Sequence, residues 1–144
     1  MSNDLQWYLL RKNNAFIVKR VPEGPIFSKE AGNLANLHSY KYSGLVNAKT
    51  IAITESPSGI QISTVKKGAS PQAVHSARAV SSIRNRSGGR RSAGVVAQLA
   101  KRGYRPDLRK AAIARASAII ASQKEKKPSP PKKLRGKKAA AGPV

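Results

Sequence analysis

The sequence has 144 residues, with 28 Lys and Arg against 6 Asp and Glu, for a formal net charge of +22. Residues 65–144 hold 21 of the bases and 2 of the acids, whereas residues 1–64 hold 7 and 4. A polycation of this density needs a polyanionic partner, and nucleic acid is the commonest polyanion in a cell. We therefore expect a binding protein rather than an enzyme.

Composition excludes several other classes of protein. The chain has no cysteine, which rules out disulfides, thiolate metal sites and cysteine nucleophiles. Its two histidines make no zinc cluster by themselves and its acids are scattered, so we expect no metal, cofactor or small-molecule substrate. No apolar run approaches the 18 or so residues of a membrane span, and the start lacks signal-peptide character. We expect a protein of the cytosol or nucleus that has no membrane partner.

The first 18 residues predict a β-hairpin. Residues 7–10 and residues 15–18 are both rich in aromatic or β-branched side chains. Asn13 and Asn14 lie between these two runs and tolerate the positive φ of a tight turn.

A second hairpin is predicted around residues 55–59, with isoleucines on both sides of the turn. After the turn, Ile60 and Ile62 alternate with Gln61 and Ser63, which is the period of a half-buried antiparallel strand. The segment between the hairpins is predicted to be mostly loop with one short strand. Its apolar anchors are Phe27, Leu34, Leu37, Tyr40, Tyr42, Leu45 and Val46.

In the second half the preference changes from strand to helix, because alanine replaces the β-branched alternation. A weak helix is predicted to begin at Ser70-Pro71, to follow the spacing of Ala73, Ala77 and Val80, and to stop at Ser87-Gly88-Gly89. A second short helix is predicted over residues 93–102, closed by a glycine at 103.

The clearest helix is predicted from Asp107 to Ser122. It opens with Tyr104-Arg105-Pro106-Asp107, where proline suits the first turn and aspartate complements the helix dipole. Lys110 and Arg115 flank its apolar side and are expected to contact phosphates. That apolar side, which needs a protein surface, consists of Leu108, Ala112, Ile113, Ala116, Ile119 and Ile120.

These elements predict the α+β fold class: a small antiparallel β-sheet module followed by helices and a basic C-terminal tail that is disordered when free. Residues 1–65 form the β module, and residues 66–123 form a basic helical RNA-binding extension. Residues 124–144 are mainly Lys, Pro, Ala and Gly, and form the flexible tail.

The cations of the second half are the main candidate RNA contacts, because no acid interrupts the sequence from Lys66 to Arg105. Arginine presents a planar fork to phosphates and base edges, and lysine presents a mobile point charge. The predicted RNA-binding residues are Tyr40, Lys41, Tyr42, Lys66, Lys67, Arg78, Arg84, Arg86, Arg90, Arg91, Lys101, Arg102, Tyr104, Arg105, Arg109, Lys110, Arg115, Lys132, Lys133, Arg135, Lys137 and Lys138.

The tyrosines leave two interpretations open. In an extended segment Tyr40 and Tyr42 share one face, with Lys41 on the other, and either stack on unpaired bases or cap the small core. Tyr104 either packs between two helices or reaches outward. We expect His38 to be a packed or surface histidine without a catalytic role.

Three blocks of sequence are distinctive. The first is Phe27-Ser28-Lys29-Glu30 with Asn33-Leu34, and the second is Ser39-Tyr40-Lys41-Tyr42-Ser43-Gly44-Leu45 with Lys49-Thr50. The third is Tyr104-Arg105-Pro106-Asp107-Leu108-Arg109-Lys110-Ala111-Ala112-Ile113 with residues 115–119. Together with Trp7 and residues 16–19 they resemble the eukaryotic large-subunit ribosomal protein family numbered twenty-eight, over most of residues 5–124.

The resemblance implies a structural constituent of the large ribosomal subunit that binds and neutralises ribosomal RNA in translation, with no enzyme activity. Its implied partners are large-subunit ribosomal RNA and neighbouring ribosomal proteins. Its implied location is the cytoplasmic ribosome, with assembly in the nucleus and nucleolus. Two rivals stay open: a ribosome-assembly factor with the same N-terminal module, and a chromatin protein, suggested by the Lys- and Ala-rich tail.

Overall fold

The computed structural model describes residues 2–18, 22–70, 73–125 and 128–130, with Lys101 and Arg102 described by their backbone alone. It confirms the predicted α+β class. The elements in chain order are α1 (Asn3–Leu10), β1 (Ile17–Val18), β2 (Phe27–Ser28), β3 (Ile51–Ser56), β4 (Gly59–Val65), β5 (Arg78–Arg84), α2 (Gly89–Leu99) and α3 (Arg109–Gln123). Most of the predicted tail lies outside the described residues.

The first element, α1, is a helix where the sequence predicted a strand. Ser2 caps it, because the Ser2 hydroxyl oxygen accepts a hydrogen bond from the Leu5 N–H at 3.4 Å. Asp4 lies in the first turn, where a carboxylate favours the helix dipole. The predicted hairpin of residues 7–10 with residues 15–18 is therefore wrong, and β1 pairs with β2 instead. The cap and the first-turn carboxylate favour a helix over residues 3–10, and the predicted partner strand pairs with β2.

The segment between β1 and β3 is mostly loop with one short strand, β2, as predicted. Of its predicted anchors, Leu34 and Val46 are buried, whereas Phe27, Tyr40 and Leu45 are each about two-fifths exposed. Apolar burial alone therefore does not hold this loop in place, and much of its structure depends on polar contacts.

A buried carboxylate organises that loop. Glu30 is 4% exposed, and its two oxygens accept hydrogen bonds from the Asn33 side-chain amide at 3.0 Å and from the Ser43 hydroxyl at 3.1 Å. A buried polar group is tolerated only when it is hydrogen-bonded, and here both carboxylate oxygens are. The Asn33 amide also donates to the Leu37 carbonyl at 2.8 Å, which ties the two ends of the loop's central turn together.

The central sheet confirms the second predicted hairpin. β3 and β4 pair antiparallel around a turn at residues 57–58, with Ile53 opposite Ile62. Gln61 is exposed between its buried neighbours, which is the predicted period of two. The buried face of the hairpin consists of Ile51, Ile53, Ile60 and Ile62.

The largest departure from the sequence interpretation is β5. It pairs antiparallel with β4, with Val65 opposite Arg78 and Gly59 opposite Arg84, and it completes a sheet of order β3-β4-β5. The helix predicted from Ser70-Pro71 onward is therefore wrong over these residues, because pairing with the open edge of β4 outweighs a weak local helix preference. Glycine is required at position 59, since any Cβ there would collide with the carbonyl oxygen of Ile83.

The helix α2 begins earlier than predicted, at Gly89 rather than at residue 93. The backbone N–H and the hydroxyl of Ser92 both donate to the Gly88 carbonyl, at 3.2 and 3.0 Å, and stabilise this earlier first turn. After α2 the chain continues through a π-helical turn, Ala100–Tyr104. Within that turn Gly103 has φ 76°, which suits its predicted role of closing the helix.

The helix α3 confirms the most strongly patterned prediction. A 3₁₀ turn, Pro106–Leu108, leads into it. Ala112, Ala116 and Ile120 are its buried residues and join the sheet isoleucines in one hydrophobic core. The alanines let the helix backbone approach β3 and β4 closely. The division of the chain at residue 65 stays a prediction, although this core contains residues from both sides of it.

Candidate nucleic-acid interface

Some predicted contacts fall where the structure gives no side chain. Lys132, Lys133, Arg135, Lys137 and Lys138 lie outside the described residues, and Lys101 and Arg102 are described only by their backbone in the turn after α2. Their RNA contacts stay predictions. The other predicted residues divide into those bonded within the fold and those left on the surface.

Arg105 is bonded within the fold. Its guanidinium binds the Asp107 carboxylate through two hydrogen bonds, of 2.9 and 2.7 Å. It also donates to the carbonyls of Lys49, at 3.1 Å, and Lys41, at 2.9 Å. The hydrogen bond between the two side chains raises the pKa of Arg105 and lowers the pKa of Asp107. Arg105 therefore fastens the loop of residues 41–49 to the start of α3.

Tyr104, for which the sequence left two interpretations open, also points into the fold. Its hydroxyl accepts a hydrogen bond from the Val65 N–H at 3.0 Å and lies 2.8 Å from the Val65 carbonyl oxygen and 3.3 Å from that of Thr50. Burial raises the pKa of this phenol. The side chain joins the start of β3 to the end of β4, and its ring packs against the hydrophobic core.

Arg115 was predicted to flank the apolar side of the helix and contact phosphate, but in the structure its guanidinium is bonded within the fold. Its Nε donates to the carbonyl of Ile53 at 2.8 Å, and one terminal nitrogen donates to the carbonyl of Leu34 at 3.1 Å and to the side-chain oxygen of Asn36 at 3.2 Å. Three acceptors from two distant parts of the chain thus converge on one guanidinium. Arg115 holds the loop to the outer edge of β3, and a phosphate contact by this residue stays a prediction.

Tyr40 and Tyr42 do not share a face of an extended segment, because residues 39–42 form a turn. Tyr42 packs against the core, which is one of the two roles that the sequence left open. Tyr40 is 39% exposed, and a hydrogen bond with Asp4 raises its pKa. The Lys41 ammonium lies 5.6 Å from the centre of the Tyr42 ring and is exposed.

The same turn meets the N-terminal helix through aromatic rings. Trp7 lies 5.0 Å from the His38 ring and 5.9 Å from the Tyr40 ring, measured between ring centres. His38 Nε2 is 2.9 Å from the carbonyl oxygen of Arg11. His38 is thus a packed histidine, one of the two environments expected for it, and it helps to attach α1 to the rest of the protein.

Most of the predicted cations that the structure leaves on the surface lie at the two ends of β5. The first basic cluster lies where β4 leads towards β5 and consists of Lys66, Lys67 and Arg78. The second basic cluster follows β5 into the start of α2 and consists of Arg84, Arg86, Arg90 and Arg91. Apart from the half-buried Arg78 these side chains are exposed. Arg109 and Lys110 are exposed separately, at the start of α3.

No acid neutralises either cluster within the part of the chain that the structure describes. There the one ion pair is Arg105 with Asp107. Surface charges of ordinary proteins are interspersed in sign, whereas these clusters leave their positive charge for an external anion.

Sequence reasoning missed the uncharged polar residues that lie between the two clusters, above all Gln61 and Ser82, which face each other on β4 and β5. The alternation of Arg78, Val80, Ser82 and Arg84 was the available signal. The alanines around it favour a helix and hide this alternation.

Neither a group of metal ligands nor a membrane-spanning helix is found in the described ranges. No three His, Asp or Glu side chains there lie together as a potential metal site. Likewise, none of the helices described is long and apolar enough to cross a membrane.

An α+β body whose arginines partly fasten loops to the sheet and helix, and partly lie unpaired on the surface, belongs to the class of small basic binding proteins. Comparison with known proteins specifies the class further. The chain matches the Ribosomal L28e protein family over residues 5–122. It belongs to that family, as the sequence resemblance predicted.

Several relatives span almost the whole chain, and each is named large ribosomal subunit protein eL28. The relative from Schizosaccharomyces pombe is 36% identical over 129 residues, covering 88% of this chain and 96% of the relative. The one from Dictyostelium discoideum is 34% identical over 137 residues, covering 94% and 98%. The one from Caenorhabditis elegans is 33% identical over 126 residues, covering 88% and 94%.

Proposed function

We propose that this protein is a structural constituent of the large ribosomal subunit, where it binds ribosomal RNA and neutralises phosphate charge during translation. The observation that carries the proposal is the pair of basic clusters at the ends of β5, which have no carboxylate partner among the described residues. Phosphates supply the missing counter-charge, and the counterions released on binding supply much of the affinity.

The role is structural rather than catalytic. The side chains of Arg105, Arg115 and Glu30 make their hydrogen bonds to partners within the fold. Such groups fix the loop against the sheet and leave the surface cations to act as the binding groups.

On this proposal the protein acts in the cytoplasmic ribosome and joins the particle during assembly in the nucleus and nucleolus. Its partners are large-subunit ribosomal RNA and neighbouring ribosomal proteins. The shared name of its relatives supports this assignment, since each is named as a protein of the large subunit.

Sedimentation of the tagged full chain in fission yeast lysates tests the proposal. We expect the chain to migrate with free large subunits, single ribosomes and polysomes, and to be released when ribonuclease digests the ribosomal RNA. A chain found only in nuclear precursor particles would be an assembly factor, and one found on chromatin but absent from ribosomes would be a chromatin protein. Either result would overturn the proposal.

A further inference from the structure

Among the described residues, no helix or second sheet packs against one face of the central sheet. Residues directly opposite each other in an antiparallel pair share a face, so the strand register defines this surface. The isoleucines of β3 and β4 occupy the other face and pack against α2 and α3. We call the opposite side the outer face, and its polar residues are Thr54, Ser56, Gln61, Ser63, Arg78, Ser82 and Arg84.

The outer face is accessible. Thr54, Gln61, Ser82 and Arg84 are all exposed, and Val80 at the centre of β5 is 57% exposed. β5 is also the last strand of its sheet, so along its free edge it has no further strand beside it in the described structure.

The chemistry of the outer face is arranged in three zones. Arg78 lies at one end of β5 and Arg84 at the other, six positions along the strand, which corresponds to about 20 Å. Between the arginines lie hydroxyl and amide groups, on Ser63, Gln61 and Ser82. The strand residues that alternate onto this face include no carboxylate and no aromatic ring.

This arrangement distinguishes between forms of nucleic acid. Proteins that bind single strands stack successive bases on aromatic side chains, which the outer face lacks. Reading the major groove of DNA requires an element narrow enough to enter it, usually a helix, whereas the outer face is a three-stranded sheet. A-form RNA has a wide, shallow minor groove that displays 2′-hydroxyls and is bordered by the phosphates of both strands.

We propose that the outer face binds double-stranded RNA across its minor groove, an inference that rests on the proposed ribosomal function and specifies the RNA form. Arg78, with the first basic cluster, contacts the phosphates of one strand. Arg84, with the second basic cluster, contacts those of the other. Gln61 and Ser82, between the clusters, meet 2′-hydroxyl groups, which allows the protein to prefer RNA over DNA.

Binding measurements on the full chain at about 0.15 M salt, the physiological ionic strength, test this inference. The probes are an RNA duplex of about 20 base pairs, somewhat longer than the roughly 16 that a double-stranded RNA-binding domain covers, a DNA duplex of matching sequence, and the single RNA strand. We expect the RNA duplex to bind most tightly. Tighter binding of the single strand would overturn the inference.

A pair of charge-matched double variants locates the site. Arg78→Gln with Arg84→Gln removes two charges from the outer face, and Arg109→Gln with Lys110→Gln removes two exposed charges from the start of α3. Each lost phosphate contact also reduces the salt slope by about 0.9. We expect the outer-face variant to lose at least tenfold more duplex affinity than the α3 variant. Equal losses would overturn the inference.

An uncharged variant tests the 2′-hydroxyl contacts. Gln61→Ala with Ser82→Ala should lower RNA-duplex affinity by roughly 2- to 10-fold per lost hydrogen bond while leaving DNA-duplex affinity unchanged. Circular dichroism and thermal unfolding confirm that each variant is folded. A parallel loss for RNA and DNA would overturn the RNA-specific role of these two residues.

Sedimentation separates failure of this inference from failure of the proposed function. If the wild-type chain enters ribosomes and the outer-face variant behaves like the α3 variant, only the inference fails. If the outer-face variant binds duplex RNA normally but loses a cross-link to a neighbouring protein, the face is a protein interface and the inference is overturned. If the wild-type chain is absent from ribosomes, the proposed function fails.

Discussion

The two edges of the central sheet use arginine in opposite ways. At the β3 edge, Arg115 donates hydrogen bonds to the carbonyls of Ile53 and Leu34 and so fastens a loop to the sheet. Around β5, Arg84 and Arg86 are exposed and have no ion-pair partner in the described part of the chain. A high content of arginine therefore does not by itself identify an RNA contact. An arginine with acceptors within the fold stabilises the protein, whereas an arginine without them is free to bind a ligand.

Salt should affect the two edges very differently, and this is the largest expected effect. With on the order of 6 to 10 phosphate contacts, RNA affinity should fall by at least roughly 10³ between 50 and 200 mM salt. Hydrogen bonds within the fold are partly buried and should be screened much less, so thermal stability of the free protein should change little. Fluorescence anisotropy with labelled RNA measures the first quantity, and a salt-insensitive affinity would contradict the electrostatic account.

Removing the internal arginine should destabilise the fold. Arg115→Ala leaves three acceptors without their donor, and we expect a loss of about 3 kcal/mol in the free energy of unfolding, since hydrogen bonds to charged groups contribute about 1.5 to 3 kcal/mol each and are not additive. Arg115→Lys keeps the charge but lacks the planar fork, so its loss should be intermediate. Chemical denaturation measures both losses. A fully stable Arg115→Ala protein would show that Arg115, like the exposed arginines, does not stabilise the fold.

The pair of Arg105 and Asp107 predicts a smaller effect that depends on pH. The folded pKa of Asp107 is below its ordinary value of about 3.9, so the charged carboxylate stabilises the fold above that pH. This contribution is lost as the pH falls through the lowered pKa. Since the Asp107 side chain is 38% exposed, we expect under about 1 kcal/mol. Asp107→Asn should remove this part of the acid dependence, which unfolding measurements between neutral and acidic pH would detect.

The surface arginines should give the smallest effect on stability. Arg86→Gln and Arg90→Gln should each change the free energy of unfolding by less than about 0.5 kcal/mol, because both side chains are exposed. The same variants should weaken RNA binding in the anisotropy assay. A stability loss comparable with that of Arg115→Ala would show that these residues also have partners within the fold.

The sequence patterns correctly predicted those elements whose formation depends on neighbouring residues in the chain. The isoleucine alternation gave the β3–β4 hairpin, and the proline and aspartate start gave α3. The local pattern does not show β5, because its strand conformation depends on pairing with the edge of β4, and no tight-turn signal joins the two strands. The helix α1 was missed because the aromatic content of residues 7–10 was weighted above the cap at Ser2.

The candidate site was predictable in residue type but not in role. Charge counting identified Arg84, Arg105 and Arg115 alike. Only tertiary contacts separate them, since the carbonyls bonded by Arg105 and Arg115 come from residues more than 50 positions away in the chain. Sequence periodicity carries no information about such distant acceptors.

The contact between Trp7 and His38 has a practical consequence for optical experiments. Trp7 is the single tryptophan of the chain, and it lies where a helix without any buried residue meets the body. An element with so little burial opens at a lower free energy than the isoleucine core does. Indole emission should therefore follow detachment of the N-terminal helix, while far-ultraviolet circular dichroism follows loss of the whole fold. Two non-coincident melting curves from this protein would mark local opening of one helix and not a folding intermediate of the core.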